Sequence, residues 1–263
     1  LCGVNFGIRL FGSGLAIGYS KLPFIREIAK NLRYVLYANI GPLFYLCTKD
    51  GSETKKLIDR YCLGQCNVYE EFNGYDLMGG VASDLSFLKN RFPEMFSDSV
   101  DLYIYGARLS YKKNQAELIK YAQCLDSRVR ILLAGNSETP YALDILKKLP
   151  ANIVYVGELS KAEYFALANY GKGIISAQKG SNFGNSLIEC LCNGIVVHSL
   201  RDPIIDSVDK HYDNLYVYKN VQELMASLSS RNTSYGRSDI KNNTIRDWNA
   251  RIQMEDQIVR SYL

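Results

Sequence analysis

The most informative segment of the sequence is Ser181-Asn182-Phe183-Gly184-Asn185-Ser186-Leu187-Ile188-Glu189-Cys190, which is followed by Gly194-Ile195-Val196-Val197. Its small residues predict a loop that opens directly into a helix. Gly194 then predicts the end of that helix and the start of an apolar strand. The N-terminus of a helix offers free backbone N–H groups and a positive dipole to a phosphate or a polar sugar. Glu189, just over one turn into the helix, has the chemistry to hold a ribose diol. The segment therefore predicts a nucleotide-linked substrate.

Composition sets wide limits on the class of protein. A chain of 263 residues is long enough for one large or two modest domains. Its hydrophobic content of 47% and charged content of 22% are those of an ordinary globular protein. The net charge of +4 is compatible with an anionic substrate. It is not the footprint of a nucleic-acid-binding protein, because the basic residues are scattered rather than clustered.

Cysteine usage indicates a reducing compartment. The seven cysteines are odd in number and fall mostly inside apolar patterns, so we expect buried reduced thiols and a cytoplasmic protein. Cys62 and Cys66 lack a second Cys or His pair at zinc spacing, and no metal site is expected. The sequence has no run of eighteen apolar residues, so no membrane-spanning helix is predicted. The chain begins with Leu1 and has no recognisable signal peptide, so we expect the native N-terminus to lie upstream.

Strand and helix patterns alternate along most of the chain. In the first hundred residues, strands are predicted at 34–40, 43–48, 67–72 and 76–82, and helices at 52–61 and 83–92. From residue 101 the pattern is more regular. Strands are predicted at 101–107, 129–134, 153–156, 173–176 and 195–199, and helices at 114–125, 140–149, 161–168, 185–193, 221–229 and 245–263.

This alternation predicts right-handed βαβ crossovers and a parallel, doubly wound sheet. Ligands of such sheets bind beyond the carboxyl ends of the strands. The residues that follow the predicted strands are Arg108, Gly135, Gly157 and the segment 178–186. We therefore expect a binding site at this edge of the sheet.

Two cations lie in the loop after the first strand of this sheet. Arg108 and Lys113 are five positions apart, a spacing that suits a diphosphate, although both could also be solvated loop residues. Gly135 and Gly157 would let a backbone approach a ligand or would simply turn a corner. Glu189 is either an exposed helix residue or, since its helix is apolar on most sides, directed into a specific site.

In their order and spacing, these motifs resemble the nucleotide-sugar-binding half of GT-B glycosyltransferases of the large retaining GT4-like group. The matching motifs are Arg108-Leu109 with Lys113, Leu132-Leu133-Ala134-Gly135, Ile153 with Val156-Gly157, Ser181 to Gly184 with Glu189, and Gly194 to Val197. The resemblance covers roughly residues 101–263 and includes a final helix after Trp248 that returns toward the N-terminal domain. It implies an α/β fold of two Rossmann-like doubly wound domains, the N-terminal one short. The implied divisions are an acceptor-side domain (1–99), a nucleotide-sugar-binding domain (100–235) and the returning helix (236–263).

The resemblance also implies roles for residues. Arg108 and Lys113 would be catalytic residues that hold the donor diphosphate, Glu189 would hold the ribose, and residues 156–159 would line the base. No metal or other cofactor is implied, because cations and a helix dipole stabilise the departing diphosphate. The implied donor-binding set is Gly14, Gly135, Gly157, Ser181, Asn182, Phe183, Gly184, Asn185, Ser186 and Glu189.

The chain departs from the family pattern in three places. Ser181 stands where family members carry a glutamate that contacts the donor sugar, so we expect a different donor sugar or a different way of holding it. The N-terminal half lacks the histidine that many members place near the reacting centre, since His198 and His211 both lie later in the chain, and His198 is interpreted as structural. The N-terminal region is also short, and its Gly12-Ser13-Gly14 loop is either the glycine turn that faces the donor or a flexible linker.

Three classes of function follow. The first is an active hexosyltransferase, retaining and metal-independent, whose acceptor is a glycan, a lipid-linked glycan, a protein or DNA; a viral or phage DNA-modifying enzyme is one sub-case. The second is a catalytically weak or inactive nucleotide-sugar-binding module. The third, a different doubly wound nucleotide-binding enzyme, is disfavoured because the sequence has neither a G-x-G-x-x-G after a strand nor a P-loop lysine motif.

Overall fold

A computed structural model describes residues 7–10, 39, 43–49, 55, 58–59, 67–76, 84–178, 184–230 and 245–262. Gly14, Ser181, Asn182 and Phe183 lie outside these residues, as do Cys2, Cys62 and Cys66. The predicted segments at 34–40, 52–61 and 76–82 also fall largely outside them. The chain divides into two compact units. Of the described residues, the first unit holds those up to 76, 184–185 and 245–262, and the second holds 84–178 and 186–230.

The second unit is built on a six-stranded, all-parallel sheet. Its strands are β4 (Asp101–Gly106), β5 (Val129–Ala134), β6 (Ile153–Gly157), β7 (Gly173–Ser176), β8 (Val197–Leu200) and β9 (Leu215–Tyr218). They lie side by side in the order β6-β5-β4-β7-β8-β9. This is the doubly wound order in which the direction of winding reverses between the first strand, β4, and the fourth, β7.

Seven helices of the second unit's described residues connect or flank these strands. They are α1 (Ser86–Arg91), α2 (Gln115–Ala122), α3 (Pro140–Leu146), α4 (Lys161–Tyr170), α5 (Asn185–Cys192), α6 (Pro203–Val208) and α7 (Val221–Leu228). Asn185, the first residue of α5, is grouped with the first unit. Side chains cap several of these helices. The predicted cap Ser160 forms a full capping box with Glu163 at the start of α4.

The core of the second unit lies against the central strands. β4 buries its four inner residues and β5 buries five of its six, so both faces of the sheet are covered, as parallel sheets require. Helices α2, α3 and α7 pack onto one face through Leu118, Ile145 and Leu224. This packing fixes the strand ends on which the site is built.

The first unit contains a three-stranded parallel sheet of β1 (Gly7–Leu10), β2 (Phe44–Thr48) and β3 (Asn67–Glu71), in the order β1-β2-β3. The last helix, α8 (Trp248–Arg260), belongs to this unit although it is last in sequence. The Trp248 ring packs on Gly74, where an added Cβ would lie 2.6 Å from the indole. The Tyr262 ring lies 4.9 Å from that of Phe44, centroid to centroid.

The structure corrects several predicted boundaries. Strand β9 and helix α6 were not predicted, and neither was β1. Helix α8 begins at Trp248 rather than at residue 245, because the Asp247 side chain accepts from the Ala250 N–H and so caps the helix at that point. Helix α2 ends at Ala122, three residues before its predicted end. The domain boundary at residue 99 stays a prediction.

His198 is fully buried in β8, as its structural interpretation requires. Its ring lies between Tyr103, Tyr216 and Tyr218, and its Nδ1 is 2.9 Å from the Tyr218 hydroxyl. Among the described residues no helix is both long and apolar enough to cross a membrane. In the same part of the chain, Cys124, Cys190 and Cys192 are free thiols, and no group of three metal-ligating side chains occurs.

Candidate functional site

A cavity of about 350 Å3 opens at the carboxyl ends of β4 and β5. It therefore lies next to the switch point between β4 and β7, where doubly wound sheets bind their ligands. Its lining is largely apolar, with one arginine, one lysine and one glutamate. The lining residues are Gly106, Ala107, Arg108, Ala134, Gly135, Leu159, Lys161, Tyr164, Phe165, Ser186 and Glu189.

Arg108 sits in the loop that leaves β4, with an exposed side chain at the wall of the cavity. The loop is held by Gln115, the first residue of α2, whose side chain is almost fully buried. Gln115 Nε2 donates to the Arg108 carbonyl oxygen at 3.1 Å, and the Ser110 N–H donates to Gln115 Oε1 at 3.3 Å. One glutamine thus fixes the backbone that carries the arginine.

Lys113 ends a short 3₁₀ turn, Tyr111–Lys113, in the same loop. The buried Tyr105 hydroxyl donates to its carbonyl oxygen, and Asn114 then adopts a left-handed conformation (φ 61°) that starts α2. The Lys113 Nζ donates to Gln178 Oε1 at 2.5 Å, just beyond the end of β7. Burial, and secondarily the charge of Arg108, lowers the pKa of Lys113. The two cations predicted from sequence therefore lie near each other at the switch point, although Lys113 is not among the described residues that line the cavity.

The two strand-ending glycines meet different surroundings. Gly135 follows β5 with φ 141°, and a Cβ there would collide with the carbonyl oxygen of Ala107. Gly135 lines the cavity, but it is the close approach of the neighbouring backbone that leaves no space for a side chain at this position. Gly157 ends β6 with φ 87° and, among the described atoms, nothing lies within 4 Å of an added Cβ. Gly157 is not among the described residues that line the cavity.

Glu189 projects from α5 into the cavity. Its neighbours Ile188 and Cys190 are buried, and the Glu189 side chain itself is only 11% exposed. The structure thus favours the directed interpretation of Glu189 over the exposed one. The carboxylate Oε1 lies 2.6 Å from the Lys161 Nζ.

Among the described lining residues, Lys161 is the one charged residue that the sequence patterns did not identify. It is the first residue of α4, directly after the Ser160 cap, and its side chain is 48% exposed. A lysine at the start of a surface helix carries no sequence signal of its own. Its contact with Glu189 joins residues 28 positions apart, so only the packing of α4 beside α5 reveals it.

The remaining predicted residues that the structure describes divide into two groups. Ser186, in the first turn of α5, lines the cavity with an exposed side chain. Gly184 is half-buried, and Asn185 accepts a hydrogen bond from Asn73 Nδ2 at 2.6 Å, a contact within the first unit. Of the predicted base-lining region, Leu159 lines the cavity, whereas Val156 is buried within β6.

The wall behind Glu189 is buried and carries two weakly acidic groups. Tyr164 lies in the space left by the missing side chain of Gly106, and its hydroxyl is 3.9 Å from the Cys190 thiol. Burial raises the pKa of the Cys190 thiol and that of the Tyr164 hydroxyl, so both stay protonated. The charged groups that line the cavity are therefore Arg108, Lys161 and Glu189.

No protein-family model and no curated protein matches the sequence. Solved structures do match. HepE of Anabaena in complex with UDP has a TM-score of 0.74 at 14% identity, with 97% of this chain and 72% of that chain covered. Sucrose-phosphate synthase of Thermosynechococcus elongatus has a TM-score of 0.68 at 12% identity, with 96% of this chain and 67% of that chain covered. A glycosyltransferase of Rickettsia africae has a TM-score of 0.67 at 14% identity, with 88% of this chain and 67% of that chain covered.

The chain has the GT-B glycosyltransferase fold. It spans about two thirds of the length of the GT-B chains it matches. The predicted fold class is confirmed. The cavity lies in the six-stranded unit of this GT-B fold, at the edge where the resemblance implied the donor nucleotide.

Proposed function

We propose that the chain is a glycosyltransferase that binds a nucleoside-diphosphate hexose in the cavity at the switch point and transfers the hexose to an acceptor hydroxyl. One observation supports this above the others. Arg108, with Lys113 close by, and Glu189 belong to one site on a GT-B fold. A cation pair and a carboxylate are the chemical complements of the two ends of a ribose diphosphate. HepE, which shares the fold, was solved in complex with UDP.

In this proposal the diphosphate is held by Arg108 and Lys113. The guanidinium offers a planar fork of donors to two phosphate oxygens, and the ammonium adds a point charge. Burial and the charge of Arg108 already disfavour the protonated form of Lys113. An incoming diphosphate relieves this repulsion, so the site gains more from an anion than two exposed cations would.

The other groups of the cavity complete the donor site. The Glu189 carboxylate accepts from the ribose hydroxyls. Leu159 and the apolar wall formed by Tyr164 and Phe165 contact the uncharged parts of the nucleotide. Ser186 brings the first turn of α5, with its free backbone N–H groups, toward the sugar or the distal phosphate.

The chemical step then needs electrostatic rather than metal assistance. The bond between the anomeric carbon and the phosphate oxygen breaks, and its electron pair leaves with the diphosphate. The acceptor oxygen bonds to the anomeric carbon and passes its proton to the departing diphosphate oxygen. Arg108 and Lys113 stabilise the charge that develops on the leaving diphosphate, which is the electrostatic form of catalysis. We assign the retaining outcome by the resemblance to GT4-like enzymes.

A thermal-shift series tests the donor site. Because a ligand that binds only the folded state stabilises it, UDP at 100 times its Kd should add about 2.7 kcal/mol and raise the Tm by several degrees. UDP-glucose, GDP and ADP extend the screen to other sugars and bases. We expect Arg108→Ala and Lys113→Ala to abolish the shift.

Lys112→Ala is the matched control, because Lys112 is adjacent to Lys113 but exposed. This variant should keep the shift. No response of the native protein to any nucleoside diphosphate would contradict the donor site. An equal loss in the Lys112 and Lys113 variants would contradict the assigned roles, since it would point to general electrostatic attraction.

The second candidate function is a nucleotide-sugar-binding module with weak or no turnover. Ser181, in the position where GT4-like enzymes carry a glutamate toward the donor sugar, favours it. Slow hydrolysis of the bound donor without an acceptor would support the enzyme. Tight donor binding with no hydrolysis, and no transfer to glycan, lipid-linked glycan, protein or DNA acceptors, would support the module.

A further inference from the structure

An ion pair connects two helices at the edge of the cavity. Lys161 Nζ, from the start of α4, lies 2.6 Å from Glu189 Oε1 on α5. Its two ends are unequally exposed, with the lysine side chain 48% and the glutamate side chain 11% accessible. The carboxylate is therefore fixed inside the cavity, while the ammonium reaches it from the solvent side.

The backbone at both ends of the pair is well held. The capping box of Ser160 and Glu163 fixes the first turn of α4, with the Ser160 N–H 2.8 Å from Glu163 Oε2 and the Glu163 N–H 3.2 Å from the Ser160 hydroxyl. Glu189 stands between two buried residues of α5. The pair thus selects one orientation of the carboxylate among those that the Glu189 side chain could adopt.

The geometry leaves room for a ligand on the same carboxylate. A carboxylate has about four acceptor positions on its two oxygens, and Lys161 occupies one position on Oε1. A ribose hydroxyl that donates to Oε1 would place its own oxygen about 2.7 Å from that atom. The Lys161 ammonium lies at a similar distance from the same atom, so the two groups would be neighbours. The ammonium has three donors, so it can bond the hydroxyl oxygen and the carboxylate together.

We propose that Lys161 is a positioning and specificity-determining residue for the ribose diol of the donor. It holds the Glu189 carboxylate in the orientation that accepts from the 2′- and 3′-hydroxyls, and it donates to one of the hydroxyl oxygens. The inference rests on the proposed nucleoside-diphosphate site and adds one residue and one selectivity to it. The site then distinguishes a ribonucleotide from a deoxyribonucleotide through two groups rather than one.

An ordinary surface ion pair would leave a different signature. Such pairs contribute little to stability and have no effect on which ligand binds. Asp144 of α3 and Lys148, two residues beyond the end of that helix, form one, with the same 2.6 Å separation and both side chains largely exposed. Lys148→Met is therefore a matched control for Lys161→Met, since each removes one ammonium from a pair of equal length.

The test measures Kd for UDP and for 2′-deoxy-UDP by calorimetry in the native protein, Lys161→Met, Lys161→Arg and Lys148→Met. We expect the native protein to prefer UDP by about tenfold or more, the loss expected for a hydrogen bond to a charged group. Lys161→Met should reduce this preference several-fold, mainly by weakening UDP. Lys161→Arg should restore most of it, and Lys148→Met should leave it unchanged.

Three results would overturn the inference. An unchanged preference in Lys161→Met, with UDP still bound, would reduce the pair to a structural contact and leave the proposed function intact. Tighter UDP binding by Lys161→Met would show that the lysine competes with the ligand for Glu189. No UDP binding by the native protein would contradict the proposed function for this nucleotide and, with it, the role of Lys161.

Discussion

Burial changes the acid–base behaviour of His198. Loss of hydration lowers its pKa to about 3. In the unfolded chain its pKa is that of free histidine, about 6.5. Below pH 6.5 the unfolded state therefore binds a proton that the folded state does not, and stability falls as the pH falls. The contribution is fully present above pH 6.5 and is lost progressively toward pH 3.

We predict that this one residue makes the protein acid-labile. Between pH 7 and pH 4 His198 should cost about 3 kcal/mol of unfolding free energy. Replacement by phenylalanine removes the titrating group, while the Tyr218 hydroxyl keeps Ser227 at 3.0 Å as a partner. Urea unfolding at several pH values should give a shallower acid limb for His198→Phe. Parallel limbs for the two proteins would contradict the prediction, because the carboxylates titrate equally in both.

At the same scale, the sequence identified three of the four charged groups now placed around the site. Arg108 and Lys113 were found because both lie in one short loop after a strand. Glu189 was found because it is the one acidic residue of an apolar helix. Lys161 was missed because its importance depends on a contact between two helices, which no local pattern records. Its partner Glu189 was marked by the apolar residues around it, whereas no pattern marked Lys161.

Among the elements, the glycines that follow or end β5 and β6 differ in their surroundings. Both have positive φ, but of the two only Gly135 faces a carbonyl oxygen among the atoms that the structure describes. We predict that Gly157→Ala costs about 1 kcal/mol, from the backbone conformation alone. Gly135→Ala should cost more than about 3 kcal/mol, because strain and collision add.

Equilibrium unfolding of the two alanine variants checks this ranking. Gly135 also lines the cavity, so Gly135→Ala should weaken UDP binding as well, whereas Gly157→Ala should leave it near native. The reverse order of stability would indicate that the loop carrying Ala107 can move aside at little cost.

The strands of the six-stranded sheet were predicted where they are mostly apolar. β5 is such a strand, with five of its six residues buried. β9 was missed because it lies at the edge of the sheet, is only four residues long and has two half-buried positions, Tyr216 and Val217. Helix α6 carries a readable start, Asp202 followed by Pro203 at the first helical position. Its six residues were too few to show a period.

For the molecule as a whole, the C-terminus contributes to the first unit rather than the second. Tyr262 contacts β2 and β3, since its ring packs on Phe44 and its hydroxyl lies 3.1 Å from that of Tyr69. Asn67 donates to the same hydroxyl. Tyr262 thus packs against residues of the three-stranded sheet that lie nearly two hundred positions earlier in the sequence.

We predict that Tyr262→Ala destabilises the first unit by about 1–3 kcal/mol, through lost ring packing and hydrogen bonds. Tyr262→Phe keeps the ring and should cost about 1 kcal/mol. Val259→Ala, at an exposed position in the last turn of α8, is the control and should be near neutral. Urea denaturation followed by tryptophan fluorescence gives the three values. Equal stability of all three variants would mean that the chain end is not part of the folded unit.

The packing of Trp248 against Gly74 has a further practical consequence. Trp248 is the single tryptophan among 20 tyrosines, and it belongs to the first unit. When the protein is excited at the red edge of its absorption spectrum, where tyrosine does not absorb, the fluorescence comes from Trp248 alone. Circular dichroism, by contrast, averages over every helix and strand. A mismatch between the two denaturation curves would show that the first unit can unfold separately from the second.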